Sequence, residues 1–187
     1  TGMRARWITF VVAATLALAT VAARADDQVA VRLLGLESAV APGWEAEQPT
    51  STMRLLQYRV PGREGAGNAA FVVYYFGPGQ GGSNAANVER WQSQFTTADG
   101  APVEPVITTS KAGDLPVTLV ELRGSYARSV GIGQGVDAQP DQTLLAGIVE
   151  TPKGNLFAQL HGPTATVAPA RPAFEAFLAG LRPVSGP

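Results

Sequence analysis

The sequence predicts an α+β fold built on a central antiparallel β-sheet flanked by helices. Strand-like segments mostly follow one another directly, and helical periodicity occurs only after the third of them and at the C-terminus. Two late strands are joined by Thr151-Pro152-Lys153-Gly154-Asn155, with Pro and Gly placed for a hairpin turn. Gly 21 and Pro 14 make 35 of 187 residues, a share that implies many turns and therefore many short elements.

Residues 29–36, VAVRLLGL, read as a first strand, closed by the turn Ala41-Pro42-Gly43 before Trp44. Residues 53–60 place Leu56, Tyr58 and Val60 on one face and stop at Pro61-Gly62. Residues 69–76, AAFVVYYF, form a continuous β-branched and aromatic run, the signature of a strand buried on both faces. Ser83 or Asn84 caps a helix over 84–95, in which Val88, Trp91 and Phe95 recur at helical spacing while Glu89 and Arg90 point away. Residues 103–109 are a weaker strand, bracketed by Pro102 and Pro105. Residues 117–126 are the longest strand, with Val120, Leu122 and Tyr126 opposed to Glu121 and Arg123. Residues 144–150 and 156–161 make the hairpin, and Pro172 opens a last helix whose Phe174, Phe177, Leu178 and Leu181 fill one stripe before Pro183 ends it.

The apolar share of 45% is that of a globular chain, which excludes disorder for the bulk of it. With Cys 0, disulfides, thiolate metal sites, iron–sulfur clusters and a cysteine nucleophile are excluded, and with His 1 so is a His-rich metal site in one subunit. No cofactor is expected.

The first 25 residues read as an address. Taking Met3 as the start, Arg4 and Arg6 precede an uncharged run from residue 7 to 23, and Ala23-Arg24-Ala25 offers small residues for a cut before Asp26-Asp27. Residues 1–25 are thus expected to be a signal peptide and residues 26–187 a single domain in the periplasm or outside the cell. The rival reading is an uncleaved anchor, since 17 uncharged residues sit at the lower limit for a bilayer span. Cleavage removes Arg4, Arg6 and Arg24, so 11 of the 14 bases remain against 15 acids and the net charge is near −4. Nucleic acid is therefore not an expected partner, because no basic surface is there to displace its counterions. Nor is stable membrane insertion expected after cleavage.

Gly77-Pro78-Gly79-Gln80-Gly81-Gly82 is the loudest local motif, lying between a strand and a helix and containing G-x-G-x-x-G. Its context departs from a dinucleotide site, since Asp99 follows the helix instead of ending a second parallel strand. Ser83-Asn84 stands where a P-loop needs Lys followed by Ser or Thr, so triphosphate charge goes unmatched. The loop is expected mainly to bend the chain tightly. If the domain holds a ligand by local sequence alone, Gly79, Gln80, Gly81, Gly82, Ser83 and Asn84 are the candidates, through free N–H groups at the helix start.

Residues 127–143 form the longest polar stretch, with Gly131-Ile132-Gly133-Gln134-Gly135, Asp137 and Asp141, but lack the D-x-D-x-D-G calcium pattern. His161, at a strand end before Gly162-Pro163, is expected to hydrogen-bond there and not to act as a base. No G-x-S-x-G elbow occurs. Glu121 and Glu150 are the carboxylates to inspect for hydrolysis, with ion pairing to Arg123 and other surface arginines as the plainer role. Trp44, Tyr58, Tyr74, Tyr75, Trp91 and Tyr126 are expected chiefly in the core, the alternative being a groove for a partner or sugar.

Pro42-Gly43-Trp44, the strand opening Met53-Arg54, the aromatic strand at 71–76, and the closing run of hairpin strand, Gly162-Pro163 and amphipathic helix ending in Leu181 together resemble the PsbP-like group. The resemblance spans most of residues 26–187 and is architectural. It implies an αβα layered sandwich around an antiparallel sheet, and a binding or assembly role like that of extrinsic photosystem II subunits or the nuclear-import factor that binds Ran. It implies no metal or partner residue. The expected function is a non-catalytic binding or assembly module for an unknown protein or small molecule. The alternatives are a carboxylate-dependent hydrolase and a structural envelope component.

Overall fold

A computed structural model describes residues 28–127 and 138–184. The expected signal segment and most of the 127–143 loop, including residues 131–135 and Asp137, lie outside the described residues.

The chain opens with a hairpin. β1 (Val29–Leu33) and β2 (Leu36–Val40) pair antiparallel with Leu33 opposite Leu36. The two residues between them, Leu34 (φ 53) and Gly35 (φ 82), take the left-handed conformation of a type I′ turn. The single strand expected over 29–36 is therefore two. Two short elements follow, β3 (Glu45–Ala46) and β4 (Arg54–Val60), and then β5 (Ala69–Tyr75). Next come α1 (Asn84–Gln92), β6 (Phe95–Thr96), β7 (Val106–Ala112) and β8 (Leu115–Tyr126). The chain continues through β9 (Gln139–Val149), β10 (Leu156–Pro163), α2 (Thr164–Ala179) and β11 (Arg182–Pro183).

The large sheet runs β3-β4-β5-β10-β9-β8-β6, with β7 also paired to β8, and every pairing is antiparallel. β1, β2 and β11 form a separate three-stranded sheet. The hairpin expected at 144–161 is β9–β10, with Val149 opposite Leu156.

Strand alternation sends successive side chains to two faces. One face carries Phe71, Val73, Leu145, Ala158 and Leu160, which pack with Val167, Phe174 and Phe177 of α2 and with the small sheet. Ser38 Oγ ties the small sheet to α2 by donating to the Phe177 carbonyl at 2.7 Å. The other face carries Leu144, Ala146, Ile148 and Phe157, which pack with Trp91 of α1 and with Phe95. β9 lies between the two, and residues 142–149 are buried without a break.

The α+β class with its central antiparallel sheet holds, but the structure is not a pure αβα sandwich. The first face is covered by the 16-residue α2 and the small sheet; on the second the one described helix is the nine-residue α1, with Phe95 and Val103 beside it. Ala70, on the α1 face of β5, is left exposed. α2 also begins eight residues before the expected start. It rises straight from β10 at Thr164, and Pro169 and Pro172 both stand inside it on its exposed side.

Candidate functional site

The partly covered face of the large sheet forms a cavity of about 480 Å³. β5 and β10 build its floor, because their register sets Tyr74 opposite Phe157, Val72 opposite Gln159 and Ala70 opposite His161. Small side chains at Ala70 and Val72 give the floor its depth. β4 adds Arg54 opposite Tyr74, β9 adds Leu144 opposite His161, and β8 adds its last residue, Tyr126. The other wall is α1 with Arg90 and Trp91, followed by Gln94.

Both arginines are held in place. Arg54 Nη1 donates to Gln57 Oε1 at 2.8 Å, and its guanidinium carbon lies 5.3 Å from the centre of the Tyr74 ring, a cation–π arrangement. Tyr74 stacks on Phe76 (6.2 Å, 2°), and Phe76 meets Phe157 edge-on at 5.7 Å. Arg90 Nη2 donates to Asn87 Oδ1 at 2.6 Å. Asn87 in turn donates from Nδ2 to the carbonyls of Gly81 and Ser83 at 2.8 and 2.9 Å, which anchors it beside Phe157. Arg54 thus sits at the Tyr74 end, and Arg90 is tied through Asn87 to the loop whose Gly81 packs on Phe157 and Phe76.

His161 marks the other end. Its ring lies 4.2 Å from Tyr126 and 6.1 Å from Phe95, and its Nε2 is buried with no hydrogen-bond partner among the described residues. Burial pushes its pKa down to about 4, so at neutral pH the imidazole is an uncharged hydrogen-bonding group. The strand-end hydrogen bond expected of His161 is not made at Nε2.

Among the described residues no Asp, Glu, Lys, Ser or Thr side chain lines this cavity. The described lining offers two cations, aromatic walls and neutral polar groups.

The glycine loop lies elsewhere. Ser83 Oγ accepts from Ala86 N at 3.1 Å and caps α1, while Asn84 Nδ2 donates to Glu150 Oε1 at 3.0 Å. A Cβ on Gly81 would stand 2.7 Å from Phe157 Cε2, so the loop packs against the ring that lines the cavity. None of Gly79, Gln80, Gly81, Gly82, Ser83 and Asn84 lines the cavity itself.

Glu121 and Glu150 do not meet. Glu121 ion-pairs with Arg171 of α2. The Glu150 backbone N–H donates to the Pro116 carbonyl, five residues away along β8, or about 17 Å at strand rise. Asp141 pairs with Arg123 at 3.5 Å. Among the described residues no group of three or more His, Asp and Glu is placed to hold a metal, and no helix is long and apolar enough to cross a membrane.

Of the six aromatic residues singled out in the sequence, Tyr74, Trp91 and Tyr126 line the cavity. Trp44 and Tyr58 pack against Phe71 on the α2 face, and the Tyr75 hydroxyl donates to the Lys153 carbonyl at 2.6 Å. Sequence reasoning missed Arg54 and Arg90 as site residues. The available signal was a strand arginine and a helix arginine with no acid at helical or cross-strand spacing, and it becomes visible only once the register is known.

No family model matches the chain, and no curated protein of similar sequence is found. A solved structure does match: that of PA94, a protein of unknown function from Pseudomonas aeruginosa. It covers 85% of this chain and 99% of its own, with a TM-score of 0.50 and 15% identity. The likeness is one of fold. It extends over nearly the whole of that protein, so the sheet and its helices form a unit that recurs in a chain of different sequence.

Proposed function

We propose that this protein is an exported, non-catalytic binding module that holds a small molecule in the cavity between α1 and the sheet. The cavity is the observation that carries the reading. Its volume of about 480 Å³ falls within the range typical of ligand sites, and its lining pairs aromatic walls with a few polar groups. Among the described residues the lining carries aromatic, amide and guanidinium groups and no carboxylate, which favours binding over carboxylate-dependent hydrolysis. Export is supported by the basic, uncharged and small-residue regions of residues 1–25.

The PsbP-like relationship belongs to the same proposal. Its support is a sheet with a helix on each face and an amphipathic helix closing the domain, and it favours a binding role.

A thermal-shift screen of the purified protein against metals, phosphates, nucleotides, sugars, peptides and aromatic acids tests the binding reading. A ligand at about 100 times its Kd adds roughly 2.7 kcal/mol, or about 5–10 °C for a domain of this size. At least one small-molecule class is expected to produce such a shift, and a flat screen contradicts the reading. Export is checked by fractionation and N-terminal sequencing, with Asp26 as the expected first residue of the mature protein.

A further inference from the structure

We propose that the cavity binds an amphipathic carboxylate, with its carboxylate held between Arg54 and Arg90 and its aromatic or alkyl body lying along β5 and β10 towards His161. This rests on the binding reading above and adds the chemistry of the ligand.

The charge pattern points to an anion. Of the eight described arginines, Arg32, Arg59, Arg123, Arg171 and Arg182 each have a carboxylate partner. Arg54, Arg63 and Arg90 have none among the described residues, and two of these three line one cavity whose described lining includes no carboxylate. The full chain carries more acids than bases, so two uncompensated cations in one place reverse the prevailing charge. A guanidinium has five N–H donors, and a single side-chain acceptor engages Arg54 (Gln57) and Arg90 (Asn87). Each is positioned with donors to spare. Planar forks of this kind match the two oxygens of a carboxylate.

The rest of the cavity specifies the body. Tyr74, Phe76 and Phe157 form an aromatic chain at the Arg54 end, and Trp91 lines the same cavity, so an anion there is carried by a group that can stack. His161 lies four residues along β10 from Phe157, about 13 Å at strand rise. An uncharged imidazole with an unpartnered Nε2 suits a hydroxyl or amide at the far end and does not balance a second anionic group. The ligand is thus charged at one end, with a body that lies over Val72 and Gln159 between the two ends.

Calorimetry with three probes tests this: 2-naphthoate, the uncharged 2-naphthalenemethanol, and acetate, which has the head without the body. Wild type is expected to bind naphthoate about tenfold or more tighter than the alcohol, with acetate too weak to measure. Arg54→Met and Arg90→Met, which keep an apolar stem, should each bring naphthoate close to the alcohol while leaving the alcohol within about twofold. Arg63→Met should change neither. The wild-type comparison needs no variant, so it stands even where a substitution fails to fold. Equal affinity for naphthoate and alcohol, or a preference that survives both cavity substitutions, overturns the carboxylate inference and leaves the cavity a binding site. No binding by either naphthalene compound overturns the carboxylate inference, and the thermal-shift screen then decides the binding reading separately.

Discussion

His161 shows how one side chain couples burial to pH. Its pKa is about 4 in the folded chain and near 6.5 when unfolded, so between those values the unfolded chain takes up a proton that the folded chain refuses. Stability from this source is constant above pH 6.5 and falls as pH drops through 6.5 to 4, by roughly 2–3 kcal/mol in all. His161→Phe is expected to remove that part of the acid sensitivity, seen as a smaller fall in urea midpoint from pH 7 to pH 4 than in wild type. A second residue-scale expectation concerns the glycine loop. A Cβ on Gly79 (φ 67) would meet open space, whereas one on Gly81 (φ 91) would stand 2.7 Å from the Phe157 ring. Gly79→Ala should cost about 1 kcal/mol of backbone strain, and Gly81→Ala clearly more because the ring must move as well. Melting temperatures of the two variants check the order. At this scale the sequence was a partial guide. Glycine motifs announce themselves locally, and the loop was legible as a turn for that reason. Arg54 and Arg90 lie 36 positions apart in the sequence and gain meaning only when strand register and Asn87 bring them to one end of a cavity.

Elements were more legible than sites; the helix expected over 84–95 ends at Gln92 with Phe95 on β6, the strand expected over 103–109 runs over Val106–Ala112, and two larger misreadings have physical causes. The pair β1–β2 reads as one apolar run because its turn is Leu34-Gly35, and a leucine at φ 53 carries none of the Asn or Asp signal that usually marks a type I′ turn. α2 reads as starting at Pro172 because proline favours the first helical turn. In fact Pro169 and Pro172 stand in its interior, where packing of Val167, Ala170, Phe174 and Phe177 outweighs the lost hydrogen bonds. Since both prolines face solvent, Pro172→Ala is expected to stabilise by about 1 kcal/mol. That is less than the roughly 3 kcal/mol cost of an interior proline, because the unfolded chain also gains freedom. A rise in melting temperature of about 2–4 °C is the readout. The contact of α2 with β9 supplies the opposite case. A Cβ on Gly147 would stand 2.6 Å from Leu178 Cδ1, inside a packed layer. Gly147→Ala should therefore cost about 1–3 kcal/mol, and Gly147→Ala with Leu178→Ala should recover part of the steric term when measured as a double-mutant cycle.

For the whole molecule, the antiparallel sheet and its two helices follow from strand periodicity and short connections, and those features were readable in advance. The unequal cover of the sheet was not. A nine-residue helix that meets only part of one face leaves Ala70, Val72 and Tyr74 as the floor of a cavity, an outcome set by helix length and placement together. The central claim is that this cavity, and not the glycine loop, is where the protein meets its ligand. The most direct test is to follow backbone amide NMR shifts while 2-naphthoate is added. Shifts are expected in Ala69–Tyr75, Leu156–Pro163 and Asn84–Gln92 and around Arg54. Shifts confined to residues 77–83 or to the α2 face, or no saturable shifts at all, would contradict it.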